Sequence, residues 1–382
     1  METLPHEIIF EILDKCDFLS KIRLSCINIL FYKNIKIDDL MNIPKKYSYK
    51  INGNILGQKK FINLKKLNGK CNIIQKNILG LNLTKLSVKD NKKIRDVSFM
   101  KNLKILNASG FNCGIDQKGI EGLDLEELHI GDNLWINNVS FMKKLKILNI
   151  RDYCGVNQNG IKGLDLIELN ANGNRNINNV SFMKNLKVLR ANGSCGINQN
   201  GIQYLDLIEL SIADNIKIIN IAFMKNLKIL NICGLNCKID QQEIERLDLI
   251  KLDTHDNRLI KNVSFMKNLK RFNAGGNCGI NQNGIKGLDL IGLNVYNNEK
   301  ITNVSFMKNL EELEASGECG IDQNGIEGLN LIELIVYNNE KIINVSFMKN
   351  LKILDICGNY KINKKDIKGL NLVKLIIEKN RS

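Results

Sequence analysis

The stretch VSFMKNLKILN at residues 97–107 decides the fold, because the chain repeats it seven times with few changes. The phenylalanine of each copy lies 41 or 42 residues after the one before it. These phenylalanines are Phe99, Phe141, Phe182, Phe223, Phe265, Phe306 and Phe347. Self-similarity at such a period is typical of proteins built from stacked supersecondary units. The repeat therefore predicts the architecture before any local propensity is considered.

Each period contains two shorter units, because a leucine that opens the pattern LxxLxL occurs twice in it. The opening leucines are Leu64, Leu83, Leu103, Leu125, Leu145, Leu166, Leu186, Leu207, Leu227, Leu249, Leu269, Leu290, Leu310, Leu331, Leu351 and Leu372. They define about 16 units, spaced 19 to 22 residues apart. Leucines two residues apart point to one side of a strand and the residue between them points to the other. A unit of this size cannot bury its apolar side alone, so neighbouring units are expected to stack into a parallel sheet.

With LxxLxLxxN/C in each unit, residues 60–382 resemble a leucine-rich repeat solenoid. One half-unit, LKxLxAxGxCGIxQxGIxGL, resembles the cysteine-containing subfamily, and the other, LDLIELxxxxNxxIxNVSFMKN, the short internalin-like subfamily. The resemblance implies a curved α/β solenoid with a parallel sheet on its concave face and short helical or extended turns on its convex face. In this arrangement Phe99 and Met100, with their equivalents, are predicted to fill the convex side of the core.

Two rows of small polar side chains recur with the repeat. The cysteines are Cys113, Cys154, Cys195, Cys237, Cys278 and Cys319, and the asparagines are Asn91, Asn133, Asn174, Asn215, Asn257, Asn298 and Asn339. Equivalent residues two units apart lie about 10 Å from each other if strands stack at about 4.8 Å, which is too far for a disulfide or a shared metal ion. We therefore predict buried cysteines that cap loops and asparagines that bond to backbone leaving the sheet. No metal and no cofactor is expected.

The composition limits the class of protein. With 382 residues and a net charge of +15, the chain exceeds one globular core, which a solenoid that grows along one axis permits. No stretch approaches about 18 consecutive apolar residues, and the N-terminus METLPHEIIF lacks a signal sequence. We therefore expect an intracellular protein of the cytoplasm or nucleus that is not secreted. Enrichment in Ile, Asn and Lys points to an AT-rich genome, such as that of certain protists or of a large DNA virus acting in its host cell.

Residues 1–40 do not repeat and contain two short amphipathic helical patterns. The opening sequence LPHEI, residues 4–8, matches the LPxEI start of an F-box, and the segment as a whole resembles that family. The resemblance is carried by Leu4, Pro5, Ile8, Ile12, Leu13, Leu24 and Phe31. Because an F-box before leucine-rich repeats is an arrangement of ubiquitin-ligase substrate receptors, it implies that these residues dock the adaptor subunit of a cullin-type ligase. The alternative is that the two helices only cap the first repeat. In either case residues 41–63 are predicted to form a basic connector or N-terminal cap that leads into the solenoid at 64–382.

The residues between the leucines are expected to face the concave side, and they change from unit to unit. Mixed charges, tyrosines and arginines at these positions suit a protein or peptide partner. The predicted target-binding residues are Arg151, Arg190, Lys251, His255, Arg271, Tyr296, Glu312, Glu333 and Tyr337. Two alternatives remain open. One is a plain interaction scaffold without a ligase link, and the other is binding of nucleic acid or another polyanion by the lysines that recur in and after FMKN.

A catalytic function is not expected, and no catalytic residue is assigned. The chain has three histidines, and the only nucleophile with a histidine on a neighbouring strand is Cys233, next to His255. The glycines of GIxGL recur in most periods, so they are predicted to mark tight turns on the convex face and not a phosphate-binding loop.

Overall fold

The chain divides into two units, residues 1–177 and residues 178–382. The structure is a computed structural model, and it describes residues 16, 20, 37–41, 56, 63–69 and 73–377. The predicted F-box residues Leu4, Pro5, Ile8, Ile12, Leu13, Leu24 and Phe31 lie outside this range. In the part of the chain that is described, no helix has the length and apolar character needed to cross a membrane.

The described strands of the first unit form a parallel ladder in chain order. They are β1 (Asp39–Leu40), β2 (Lys66–Asn68), β3 (Lys85–Ser87), β4 (Ile105–Asn107), β5 (Glu127–His129), β6 (Ile147–Asn149) and β7 (Glu168–Asn170). Among the described strands the ladder begins at β1, one strand before the first predicted unit. Lys66 reinforces this pairing through an ion pair of 3.1 Å with Asp39.

The second unit has the same construction, again with parallel strands in chain order. Its strands are β8 (Val188–Arg190), β9 (Glu209–Ser211), β10 (Ile229–Asn231), β11 (Lys251–Asp253), β12 (Arg271–Asn273), β13 (Gly292–Asn294), β14 (Glu312–Glu314), β15 (Glu333–Ile335), β16 (Ile353–Asp355) and β17 (Lys374–Ile376). From β2 to β17 every strand begins two residues after one of the opening leucines. The prediction of a leucine-rich repeat solenoid with a parallel sheet is therefore confirmed.

The segments between the strands contain only short helices and turns. The described α-helices are α1 (Gln75–Ile78), α2 (Gln241–Ile244) and α3 (Lys364–Ile367). The described 3-10 helices are Lys118–Ile120, Asn159–Ile161, Asn200–Ile202, Gln282–Ile285 and Asn324–Ile326. The GIxGL glycines mark tight turns here, as predicted: Gly163 has φ of +72°, and a Cβ on Gly160 would lie 2.2 Å from the carbonyl oxygen of Asn137.

The asparagine row forms the predicted ladder of side-chain hydrogen bonds. Asn215 is fully buried, and its Nδ2 donates to the carbonyl oxygens of Ala191 at 2.7 Å and Ile197 at 3.3 Å. Its Oδ1 accepts from the backbone N–H of Lys217 at 2.9 Å. The equivalent amides of Asn133, Asn174, Asn257, Asn298 and Asn339 make the same set of bonds. Each amide thus satisfies backbone groups that have left the sheet.

The cysteine row is also buried and unbridged, as predicted. The thiol of Cys278 donates to the carbonyl oxygen of Ala274 at 3.1 Å. Burial raises the pKa of the Cys195 thiol to about 11, because a thiolate would lose its hydration there. These cysteines therefore behave as small apolar groups with a weak donor.

The prediction that the phenylalanine row fills the core is wrong, although the methionine row is buried. Phe182 is 37% exposed whereas Met183 is 0% exposed. The backbone N–H of Met183 donates to Val180, and that of Leu186 donates to Met183, so the chain turns once every three residues here. Val180, Met183 and Leu186 consequently point inward, and the phenylalanine between them is left at the surface. The exposed row comprises Phe99, Phe141, Phe182, Phe223, Phe265 and Phe306.

Candidate protein-interaction site

The candidate site lies on the open surface of the sheet in the second unit. In nearly every strand the middle residue is buried, while the first and last residues are partly exposed. These outward residues, together with the residue two positions beyond each strand, are called the strand face. Because the leucine frame repeats, the chemistry of the strand face is set by the positions that change.

The strand face of β11 to β15 carries a shallow depression of about 340 Å³. Four of the predicted target-binding residues line it, and they are Lys251, Arg271, Glu312 and Glu333. Asp253, Asn273, Asn294 and Glu314 complete its polar lining, and Gly292 lies among them. The structure thus brings together residues that lie 82 positions apart in the sequence, from 251 to 333.

Arg271 and Glu312 neutralise each other across an intervening strand. The Nη2 of Arg271 donates to Oε1 of Glu312 at 2.7 Å, and its Nη1 donates to Oε2. The pair spans β13 because Gly292 has no side chain, and a Cβ there would lie 3.0 Å from Nη1. The guanidinium lowers the pKa of Glu312. Both charges are therefore partly satisfied within the protein before any partner binds.

The remaining predicted residues of this region lie beyond the strand ends. The rings of His255 and Tyr296 stack with centroids 6.5 Å apart and an interplanar angle of 16°. His255 also lies 3.3 Å from a carboxylate oxygen of Asp256. Tyr337 is 42% exposed, so an aromatic edge follows the depression.

Two predicted arginines lie elsewhere. Arg151 belongs to the first unit, where its Nε lies 3.6 Å from Asp152. Arg190, on β8 of the second unit, pairs with Glu209 of β9 at 2.8 Å. Neither lines the depression, so they are not part of this candidate site.

Sequence reasoning missed Gly292 and did not single out Glu314. Both depart from the repeat: LDLIGL replaces LDLIEL at Gly292, and LEELE replaces LKILN around Glu314. The same comparison picks out Lys251, Arg271 and Phe272. Departures from the repeat within β11 to β14 are therefore the sequence signal that would have located the depression.

The cysteine next to His255 has the wrong protonation state for a nucleophile. Burial, followed by the carboxylates of Asp253 and Asp214, raises the pKa of Cys233 to about 12. A catalytic cysteine requires the opposite shift, since the thiolate is the reactive species. This pair therefore offers no support for covalent catalysis.

The lysines that recur after FMKN are partly paired with carboxylates of the following unit. Lys187 lies 3.3 Å from Asp206, and Lys228 lies 2.8 Å from Asp248. In the first unit Lys104 pairs with Glu126. Such exposed pairs are weak, but they reduce the positive charge that the lysine row presents to an anion.

The sequence matches no protein-family model and no curated protein. Among solved structures, an internalin (InlF) from Listeria monocytogenes is 17% identical and aligns over 80% of this chain and 89% of that chain, with a TM-score of 0.43. A chain from the yeast Rad7 and Elc1 complex is 14% identical over 99% of this chain and 93% of that chain, also with a TM-score of 0.43. Likenesses of this size leave the function open.

Proposed function

We propose that this chain is a non-catalytic protein-interaction module that acts as the substrate receptor of an SCF-type, cullin-based ubiquitin ligase inside the cell. The strand face binds the target protein, and residues 1–40 dock the ligase adaptor. The observation that supports target binding is the strand face of β11 to β15. There, charged and aromatic side chains occupy positions that vary between repeats, and the leucines and asparagines beneath them recur from repeat to repeat.

The adaptor-binding half rests on the LPxEI sequence and its position before the repeats. The docking residues in this proposal are Leu4, Pro5, Ile8, Ile12, Leu13, Leu24 and Phe31. A truncation that tests it must spare β1, because the carbonyl oxygen of Asp38 accepts from the backbone N–H groups of Lys65 and Lys66 at 2.8 and 2.9 Å. Removal of residues 1–36 meets this condition.

Affinity purification from cells tests the adaptor-binding half. We compare the full chain, the chain lacking residues 1–36, the double variant Leu4→Glu/Ile8→Glu, and the control Leu79→Glu. Leu79 is an exposed leucine, 58% accessible, outside the docking segment. The full chain and the control are expected to recover the adaptor and cullin, and the other two are expected to lose both. Equal recovery by all four proteins, or recovery by none, contradicts the ligase assignment and leaves a plain interaction scaffold.

A further inference from the structure

The strand face of β11 to β15 ends in a row in which rings alternate with small residues. Its members, each two positions beyond a strand end, are His255, Gly275, Tyr296, Ser316 and Tyr337. Backbone hydrogen bonds keep neighbouring members in register: Asn297 N–H donates to Ser316 at 3.1 Å, and Gly317 N–H donates to Tyr337 at 2.7 Å. The three rings are therefore separated by two strands each.

The row has two gaps between successive rings, and the first, between His255 and Tyr296, is closed. His255 and Tyr296 approach to 6.5 Å between ring centroids, across Gly275. A Cβ on Gly275 would lie 2.6 Å from Nδ1 of His255, so the imidazole leans into the space that the glycine leaves. Rings two strands apart can therefore face each other across a small residue at stacking distance.

In the second gap, between Tyr296 and Tyr337, the residue on the intervening strand is the small Ser316, which forms the floor of the gap. Ser316 is 1% exposed, and its hydroxyl donates to the carbonyl oxygen of Ile335 at 3.3 Å, so it does not rise between the rings. Gly317 beside it has no side chain. Two strands span about 10 Å, and a planar group held at about 3.5 Å from each of two rings needs about 7 Å between them. At this strand spacing one flat group fits between two rings that stand perpendicular to the sheet, and Cε2 of Tyr296 lies 3.4 Å from the position that a Cβ on Gly317 would take.

The charge around this gap is negative, although the chain as a whole carries +15. The strand face of β13 to β16 contains four carboxylates and no basic residue, and these are Glu312, Glu314, Glu333 and Asp355. Arg271 is held by Glu312. Among the described residues, the carboxylate of Glu333 has no ion-pair partner.

Glu314 is the carboxylate on the strand face of β14 that lies two residues before Ser316. Its Oε2 accepts from the amide of Asn294. Burial raises the pKa of Glu314; His255 opposes this rise, and the carboxylates of Glu333 and Asp355 add to it. A cation placed here would relieve that crowding.

We infer that Tyr296 and Tyr337 bracket an arginine side chain from an extended segment of the target protein, with its guanidinium over Ser316 and directed toward Glu314 and Glu333. Arginine fits because its planar cation stacks on aromatic faces and also donates to carboxylates in a fixed fork. The ammonium of lysine offers the charge without the plane. This inference deepens the target-binding half of the proposed function and rests on it.

Fluorescence anisotropy with labelled ten-residue Gly/Ser peptides tests the inference on the full chain. One peptide carries three arginines at alternate positions, and matched peptides carry lysine, citrulline or glutamate there. Citrulline has the shape of arginine without its charge. The arginine peptide is expected to bind about tenfold more tightly than the citrulline peptide and severalfold more tightly than the lysine peptide.

Substitutions in the gap test whether the arginine peptide binds there. Tyr296→Ala/Tyr337→Ala and Glu314→Gln/Glu333→Gln are each expected to weaken the arginine peptide about tenfold. The controls Tyr153→Ala and Glu327→Gln remove an exposed tyrosine and an exposed carboxylate away from the gap, and they should change affinity less than twofold. Unchanged urea midpoints show that the variants fold.

Two results overturn the inference. One is equal affinity for the arginine and citrulline peptides, including no binding to either, and the other is arginine binding that the gap variants do not weaken. Both are independent of the adaptor purification, which does not involve the gap. An adaptor complex that forms without arginine binding therefore rejects the inference and leaves the ligase assignment standing.

Discussion

Loss of one asparagine from the buried ladder is expected to destabilise the second unit substantially. Asn215→Ala removes two donated hydrogen bonds, to Ala191 and Ile197, and one accepted from Lys217. At about 0.5 to 1.5 kcal/mol for each of the three bonds, the free energy of unfolding should fall by about 1.5 to 4.5 kcal/mol. The two carbonyl oxygens that lose their donor lie in the core, where water cannot replace it.

Urea unfolding followed by far-UV circular dichroism measures this loss, provided that the slope m is unchanged between variants. Asn226→Ala is the matched control, because Asn226 is exposed and its one side-chain bond, of 2.9 Å, goes to the exposed Asp206. Its expected cost is below about 0.5 kcal/mol. Asn215→Asp keeps the size and the acceptor for Lys217 but cannot donate, so it should cost at least as much as alanine. If Asn215→Ala is no more destabilising than Asn226→Ala, the buried side-chain hydrogen bonds of the ladder do not stabilise the fold.

Two further predictions concern the rows of repeated residues. Met183→Ala should lower the free energy of unfolding by about 2 to 5 kcal/mol. Phe182→Ala should lower it by less than half as much, because Phe182 is 37% exposed. Similar losses for both variants in urea titrations would contradict the assignment of the phenylalanine row to the surface. The pKa of Cys195 is raised from 9.0 to about 11 in the folded chain, so above pH 9 the unfolded state loses its proton first and stability should fall as the pH rises from about 9 to 11. The urea midpoint of Cys195→Ala should decline less over this range than that of the parent, and identical declines would show that this thiol does not contribute.

Much of the fold could be predicted from the sequence because the spacing of apolar residues in each unit specifies which side chains are buried. The spacing of Leu230 and Ile232, two residues apart, determines which side of β10 is buried. Asn215 and Cys237 can satisfy backbone groups only where the chain leaves the sheet. The phenylalanine row could not be placed this way. In VSFMKN three residues are apolar within four positions, and only the path of the successive turns decides that Met183 points inward while Phe182 does not.

The candidate site was only partly accessible from the sequence. Arg271 and Glu312 could be named as outward residues, but their pairing across β13 depends on the missing side chain of Gly292. In the same way, the sequence presents Ser316 as an ordinary polar residue, and only the structure shows that its hydroxyl donates to the carbonyl oxygen of Ile335. Such relations involve three strands at once, whereas a sequence pattern constrains one strand at a time.

The amino-acid sequence by itself determined the stacked parallel strands and the buried asparagine and cysteine rows, because an apolar period repeated every 20 or so residues leaves one way to bury it. The tertiary structure alone decided which charges neutralise each other and which rings stack. The physical reason is that these contacts depend on the side chains of neighbouring strands, and above all on the places where a neighbour has none.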